Sequence, residues 1–223
     1  MKRIFFLILF LTIVFIISST NYIGITNQID FNIYGHSGWR SSVFMFSCSP
    51  LLGLSHTIEI SKRFSIENNF LFGYKYNYHY SSYGISSTSN FHGFHFITNM
   101  NFLFRFGSDK IKFKFSVPSW IFSFSIGLNH TATSDYYYDE DKNENRYTTY
   151  YSSSIYYFIY GGIRLIYVGI NLYLGKENNI LFTPVFLYGD LLWGSWTYII
   201  PVANFGLGIS LKFKINKKNI SSN

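Results

Sequence analysis

Apolar and polar side chains alternate along most of this chain. The clearest stretch is 91–106, where apolar residues occupy every second position from 94 onward except 98: Phe94, Phe96, Met100, Phe102, Phe104 and Phe106. Because successive side chains of a β-strand point to opposite faces, this period predicts a strand with one apolar and one polar face. The same alternation predicts further strands over 28–34, 51–61, 64–80, 111–128, 155–174, 180–188 and 197–215. The chain is therefore predicted to be all-β, with about eight strands.

Two of these segments are irregular. In 111–128 the apolar positions change from odd to even at Pro118, which predicts a β-bulge, since a bulge inserts one residue and tolerates proline. In 155–174 the phase is ambiguous, and we expect a bulge near Gly161–Gly162. This segment is nearly uncharged, so its hydropathy alone would also permit a transmembrane helix. Its glycines, Arg164 and its Tyr and Ile content favour a strand. Ten strands are the alternative if either long segment folds back.

The connections between strands fall into two classes. Short turns are expected at 62–63, 107–110 and 175–178, and longer loops near 36–49, 81–90, 130–149 and 190–196. An even number of strands, with short turns at one end and long loops at the other, is typical of transmembrane barrels. Hydrocarbon tolerates no open sheet edge, so such a sheet must close on itself. We predict a closed antiparallel up-and-down barrel with its apolar faces toward lipid.

The last strand carries a motif-like pattern. A polar residue, Asn204, is followed two positions later by Gly206 and then by apolar residues spaced by two, Ile209 and Leu211. This pattern resembles the C-terminal assembly signal of bacterial outer-membrane β-barrel proteins. The whole mature chain resembles the small eight-stranded outer-membrane proteins of the OmpA/OmpX type. The resemblance implies that the partners are outer-membrane lipid and the barrel-insertion machinery.

The two ends of the chain differ from its centre. Lys2 and Arg3 precede an apolar run and a Ser-Ser-Thr sequence, which predicts a secretory signal peptide over 1–20, with an uncleaved anchor as the alternative. The barrel is then expected over 21–216 and a polar tail over 217–223.

Charged residues are 13% of the chain and aromatic residues 22%, whereas soluble domains average about 25% charged. The net charge is +7 without any Lys/Arg run, so we predict no nucleic-acid partner.

The polar faces of the predicted strands would meet inside the barrel. The charged side chains expected there are Asp30, Glu59, Glu67, Lys75, Arg105, Lys112, Lys114 and Lys212. An eight-stranded barrel is only wide enough for side chains to fill, and buried charges must pair. We therefore predict a structural plug of ion pairs in a closed lumen and no cofactor. A narrow pore or a small-ligand binder is the alternative.

The predicted loop over 130–149 is the candidate surface for recognition of an extracellular partner. Its acidic, tyrosine-rich core consists of Asp135, Tyr136, Tyr137, Tyr138, Asp139, Glu140 and Asp141. Tyrosine supplies contact area at a low cost in side-chain entropy. The sequence thus predicts a structural or surface-interacting membrane protein.

Two other functions remain as alternatives. A lipid-modifying enzyme, of the outer-membrane deacylase or acyltransferase type, would need a serine nucleophile with a base and an orienting group. His36 and Ser37 are adjacent in a predicted loop, and no such trio lies on a well-phased strand, so we predict no enzyme. A soluble exported barrel of the lipocalin type would instead turn Phe96, Phe102 and Phe104 inward.

Overall fold

The computed structural model describes residues 20–38, 41–83, 85–116, 118–139, 144–194 and 202–215. The predicted signal peptide, apart from Thr20, and the predicted polar tail lie outside these residues. Within them, no helix is long and apolar enough to cross a bilayer.

Strands make up nearly all of the described chain. They are β1 Thr20–Gly38, β2 Ser41–Glu59, β3 Phe64–Tyr83, β4 Ile85–Gly107, β5 Ile111–Ser116, β6 Ser119–Asp139, β7 Glu144–Leu174, β8 Ile180–Gly194 and β9 Val202–Lys214. A 3₁₀ turn, Lys176–Asn178, joins β7 to β8. The helix considered for 155–174 is therefore wrong, because this segment lies within β7.

The strands form a closed ring. Neighbouring strands of the ring pair antiparallel, and β1 pairs with β9 from Tyr22–Lys214 to Asn32–Asn204. β5 and β6 are two halves of one long strand, because both pair with β4 on one side and with β7 on the other. The ring thus has eight positions. The predicted closed antiparallel barrel is confirmed.

Apolar side chains cover the outside of the ring. Phe94 and Trp120 are 79% and 69% exposed, whereas the neighbouring inward residues His95 and Ile121 are buried. Phe96 and Phe104 also face outward, which rules out the lipocalin-type arrangement. A closed ring satisfies the backbone hydrogen bonds, so only the side-chain faces meet the surroundings.

The segments predicted as long loops are mostly paired strands, so those four predictions were wrong. Hairpins extend to the pairs Gly38–Ser41, Tyr83–Ile85 and Asp139–Glu144, and β8 continues to Gly194. The exposed apolar side chains around the outside of the ring are here called the apolar band. A hairpin that extends beyond this band requires no apolar face, because its backbone hydrogen bonds alone can stabilise it. Sequences rich in Ser, Thr and Asn therefore remain extended without showing the alternation that marks a strand.

Bulges change which residues face inward. The predicted irregularity at Pro118 is confirmed. Leu103 of β4 pairs with Ser116 and Met100 with Trp120, so three residues along β4 correspond to four residues along the β5–β6 strand. The bulge expected near Gly161–Gly162 lies instead between Arg164 and Ile166. There Leu165 and Ile166 both face outward, so that Arg164 faces inward.

A further irregularity in β8 was not predicted. The register between β8 and β9 shifts between Thr183 and Phe186, around Pro184. Proline cannot donate to the sheet and is tolerated at such a position. The shift turns Phe186 and Tyr188 into the lumen, where both are buried.

Candidate functional site

Polar, charged and aromatic side chains point into the lumen and are buried there. Each of the charged residues predicted to lie there points inward, with Glu59 and Lys112 partly exposed near the end that carries the short turns, here called the turn end. The opposite end, formed by the long hairpins, is called the hairpin end. Apart from Lys75 and Lys112, the inward charges fall into three groups.

The first group lies at the turn end around Arg105. Its guanidinium donates to the Glu59 carboxylate and, over 2.7 Å, to the Tyr173 hydroxyl, which donates in turn to Glu59. Arg105 also donates to the carbonyl oxygens of Ser61 and Phe64, on the turn and at the start of β3. These contacts join β2, β3, β4 and β7 across the turn end of the lumen.

The second group lies farther inside and is centred on Glu67. Its carboxylate accepts from Lys212 at 2.7 Å, from Lys114 at 3.2 Å and from the Tyr167 hydroxyl at 2.8 Å. Lys212 donates also to Thr57. One carboxylate thus holds two buried lysines from different strands, and each cation contacts at least one further oxygen.

The third group contains a doubly hydrogen-bonded ion pair. Arg164 donates from Nε and Nη2 to the two carboxylate oxygens of Asp190, at 2.7 and 3.0 Å, and both side chains are fully buried. The guanidinium lies 4.0 Å from the centre of the Tyr188 ring. Tyr188 donates to Asp30, and Asn204 donates to both Asp30 and Asp190. This two-bond geometry is the strongest kind of side-chain ion pair.

Sequence reasoning missed Arg164 and Asp190. Because of the bulge in β7, simple alternation does not place Arg164 on the inner face. Asp190 is the first residue of the segment 190–196 that the sequence predicts as a loop. The available signal was the spacing of two between Tyr188 and Asp190, which continues the alternation of β8.

Inward apolar residues were also missed. Leu51, Leu71, Ile97, Ile121 and Leu192 come from five strands and form one buried cluster inside the barrel. On β3, Leu71 lies four positions beyond Glu67 toward the hairpin end. The lumen is therefore packed with apolar as well as charged side chains.

The residues of the predicted assembly signal have clear places in β9. Asn204 and Gly206 face the lumen, and Ile209 and Leu211 face outward. A Cβ atom on Gly206 would collide with the phenol ring of Tyr188, so glycine is needed here to make room for that ring. Their role in assembly stays a prediction.

The predicted recognition segment is not a loop over most of its length. Asp135–Asp139 belong to β6 and pair with β7, so this part of the prediction was wrong. The side chains of 136–147 and all of Glu140 and Asp141 lie outside the described residues. Recognition by this segment stays a prediction.

One serine and one histidine meet on the outer face of the barrel. His130 Nδ1 lies 2.7 Å from Ser153 Oγ, both side chains are exposed, and the His92 ring is 6.5 Å from that of His130. In the described part of the chain, no carboxylate pairs with either histidine. The side chains of His36 and Ser37 lie outside that part. Nor do the described residues contain a group of three or more His, Cys, Asp or Glu able to hold a metal ion.

Solved structures similar to this chain are bacterial barrels. Ail, the attachment invasion locus protein of Yersinia pestis, is 8% identical over 88% of this chain and 97% of its own, with a TM-score of 0.31. Neisserial surface protein A is 10% identical over 87% and 97%, with a TM-score of 0.34. OprG of Pseudomonas aeruginosa is 9% identical over 88% and 96%, with a TM-score of 0.41.

The chain has the architecture of the small outer-membrane β-barrels. That architecture is read from the closed pairing of this chain's own strands, and at these identities and TM-scores the likeness carries no argument about a role. No protein-family model and no curated protein matches the chain.

Proposed function

We propose that this chain is an integral outer-membrane β-barrel whose lumen is closed by an ion-paired side-chain plug and which acts through the hairpins that project outside the membrane. The observation that carries the proposal is the pair Arg164–Asp190, fully buried in the lumen and joined by two hydrogen bonds. Residues 1–20 would direct export.

The exterior supports the membrane location. Large apolar side chains are exposed on every side of the ring, among them Leu54, Phe72, Phe94, Trp120 and Phe205. Water-soluble monomers rarely expose contiguous apolar surface on this scale, and a closed barrel is one of two architectures that can span hydrocarbon. Lipid is therefore the proposed environment of this surface, and the insertion machinery the proposed assembly partner.

The interior supports a closed barrel. A conducting path requires continuous water between the two ends, yet Lys114 and Lys212 converge on Glu67 and are fully buried there. The apolar cluster around Leu71 fills a further part of the lumen. Because an eight-stranded barrel has room for little besides its own side chains, these groups support a lumen without an open channel.

The hairpins support a role outside the membrane. A tilted strand crosses a bilayer in about 9–11 residues, whereas β6 and β7 have 21 and 31 residues. At about 3.3 Å per residue, the β6–β7 hairpin projects well beyond the apolar band. It ends in the acidic, tyrosine-rich segment around residue 138, which is the proposed contact for an extracellular partner.

Conductance tests the closed lumen. The refolded protein in planar lipid bilayers is expected to show no stable current steps. The double variant R164A/D190A removes the buried pair and is expected to pass measurable current. Arg63 is exposed in a turn, and the control variant Arg63→Ala is expected to behave as the wild type. Uniform, reproducible current steps from the wild-type protein would refute the plug.

Antibody labelling tests the orientation of the hairpins. An epitope inserted between Asp141 and Lys142 is expected to be detected on intact cells. Detection only after the outer membrane is permeabilised would place this hairpin on the periplasmic side and contradict its role in surface contact.

A lipid-modifying hydrolase is the second candidate, favoured by the contact between His130 and Ser153 on the outer face of the barrel. A serine nucleophile also needs a group that orients its base and donors for the oxyanion, and the described residues supply no carboxylate at His130. The test is release of fatty acid from lipopolysaccharide or phospholipid vesicles. Release by the wild type that Ser153→Ala abolishes would establish this activity, and no release would exclude it for those lipids.

A further inference from the structure

One buried cation in the lumen lacks a counter-ion. Among the described residues, the buried Arg105, Lys114, Arg164 and Lys212 each contact a carboxylate within 4 Å, but Lys75 does not. No hydrogen-bond acceptor in that part of the chain reaches its ammonium group, which lies over the Tyr160 ring with the centroid 5.3 Å from Nζ. A buried ammonium group without a partner is strongly destabilising.

Asp30 is the acidic group whose charge acts on Lys75, and it is engaged by other residues. Asp30 accepts hydrogen bonds from Tyr188, from Gln28 at 3.0 Å and from Asn204 at 3.3 Å. It makes no ion pair with Lys75 within 4 Å. The charge of Asp30 attracts Lys75 only from beyond ion-pair distance, so the described side chains give this ammonium group no direct counter-charge.

The surroundings of Lys75 are polar and built from small side chains. Its side chain starts on β3 and reaches toward β7, three positions around the ring, so its ammonium group lies inside the lumen. Buried serines lie on the neighbouring wall: Ser47, Ser49, Ser123 and Ser125. His95 lies among them, with Nδ1 at 3.0 Å from Ser49 Oγ and Nε2 at 2.7 Å from Ser123 Oγ.

Two observations indicate that this part of the lumen takes up a small ligand. The Ser125 hydroxyl is buried and has no hydrogen-bond partner. Lys75 keeps 6% of its surface exposed, so its side chain is not completely enclosed by its neighbours. An ammonium group and a free hydroxyl are both donors, and they complement an anion.

We propose that Lys75, with the serine hydroxyls around His95, binds a small inorganic anion drawn from the external medium. The anion supplies the counter-charge that the described carboxylates do not. Chloride is the probe chosen, because its size suits a lumen that is otherwise filled by side chains.

Chloride-35 line broadening tests the proposal on the refolded full chain in a nonionic maltoside detergent, with gluconate as the replacement anion. The wild type is expected to broaden the chloride line in a saturable way. Lys75→Gln is expected to weaken the apparent affinity at least about tenfold, since a charged hydrogen-bond donor is lost. Lys62→Gln removes the same charge from an exposed turn and is expected to leave the affinity unchanged.

Equal broadening by the two variants would show that chloride binds only diffusely, and it would overturn the proposal. If Lys75→Gln does not refold, wild-type crystals soaked in bromide give an independent answer. An anomalous peak beside Lys75 Nζ supports the site, and a lumen without one overturns it. Neither outcome depends on whether the barrel conducts.

Discussion

The ion pair between Arg164 and Asp190 gives the sharpest prediction about stability. Asp190→Ala removes two of the three side-chain acceptors of the guanidinium and one acceptor of Asn204. Arg164 is then left in a site with no solvent exposure, with Asn101 Oδ1 at 3.5 Å and the face of the Tyr188 ring as its neighbours. The variant therefore leaves a buried charge without its counter-charge.

The expected loss follows from that burial. Breaking a buried pair by removing one partner costs about 3–5 kcal/mol, because the remaining charge keeps its desolvation penalty. Replacing both partners with apolar residues of similar volume removes that penalty. The double variant R164M/D190L is therefore expected to lose less free energy of unfolding than Asp190→Ala alone.

Urea unfolding of the barrel refolded in lipid vesicles measures these values, with the heat-modifiable shift in electrophoretic mobility and tryptophan fluorescence as two probes. Asp109→Ala, in an exposed turn, is the control and is expected to change the free energy by no more than about 0.5 kcal/mol. A loss below about 1 kcal/mol for Asp190→Ala would refute the reasoning, since it would mean that Arg164 reaches water or another acceptor.

Two further predictions concern the lumen wall and the lipid-facing surface. Gly206→Ala is expected to destabilise the barrel by about 1–3 kcal/mol, because its Cβ collides with the Tyr188 ring, whereas Gly161→Ala, whose Cβ meets no atom within 4 Å, is expected to be nearly neutral. Equal urea midpoints for the two alanine variants would contradict the packing argument. Leu54→Arg, on the apolar band, is expected to cost about 2–4 kcal/mol in vesicles, and Tyr151→Arg, on the β6–β7 hairpin, about 0–1 kcal/mol. Equal costs would contradict the proposed position of the membrane.

Much of the lumen could be predicted from the sequence. Asp30, Lys114 and Lys212 alternate with apolar neighbours, and this local period alone assigns them to the inner face. The same rule failed at Arg164, because a bulge three residues from the expected position changed the phase of β7. It failed also for the inward Leu71, since a filled lumen accepts apolar side chains as readily as paired charges.

The alternation of side chains by itself determined the strands, their two faces and the all-β class of this protein. Only the tertiary structure decided that β1 closes on β9, how far the hairpins extend, and which inward groups meet, such as Glu67 with both Lys114 and Lys212. The physical reason is one of range. Alternation is a property of a single strand, whereas contacts across the lumen depend on the register of every pair around the ring and on each bulge that shifts it.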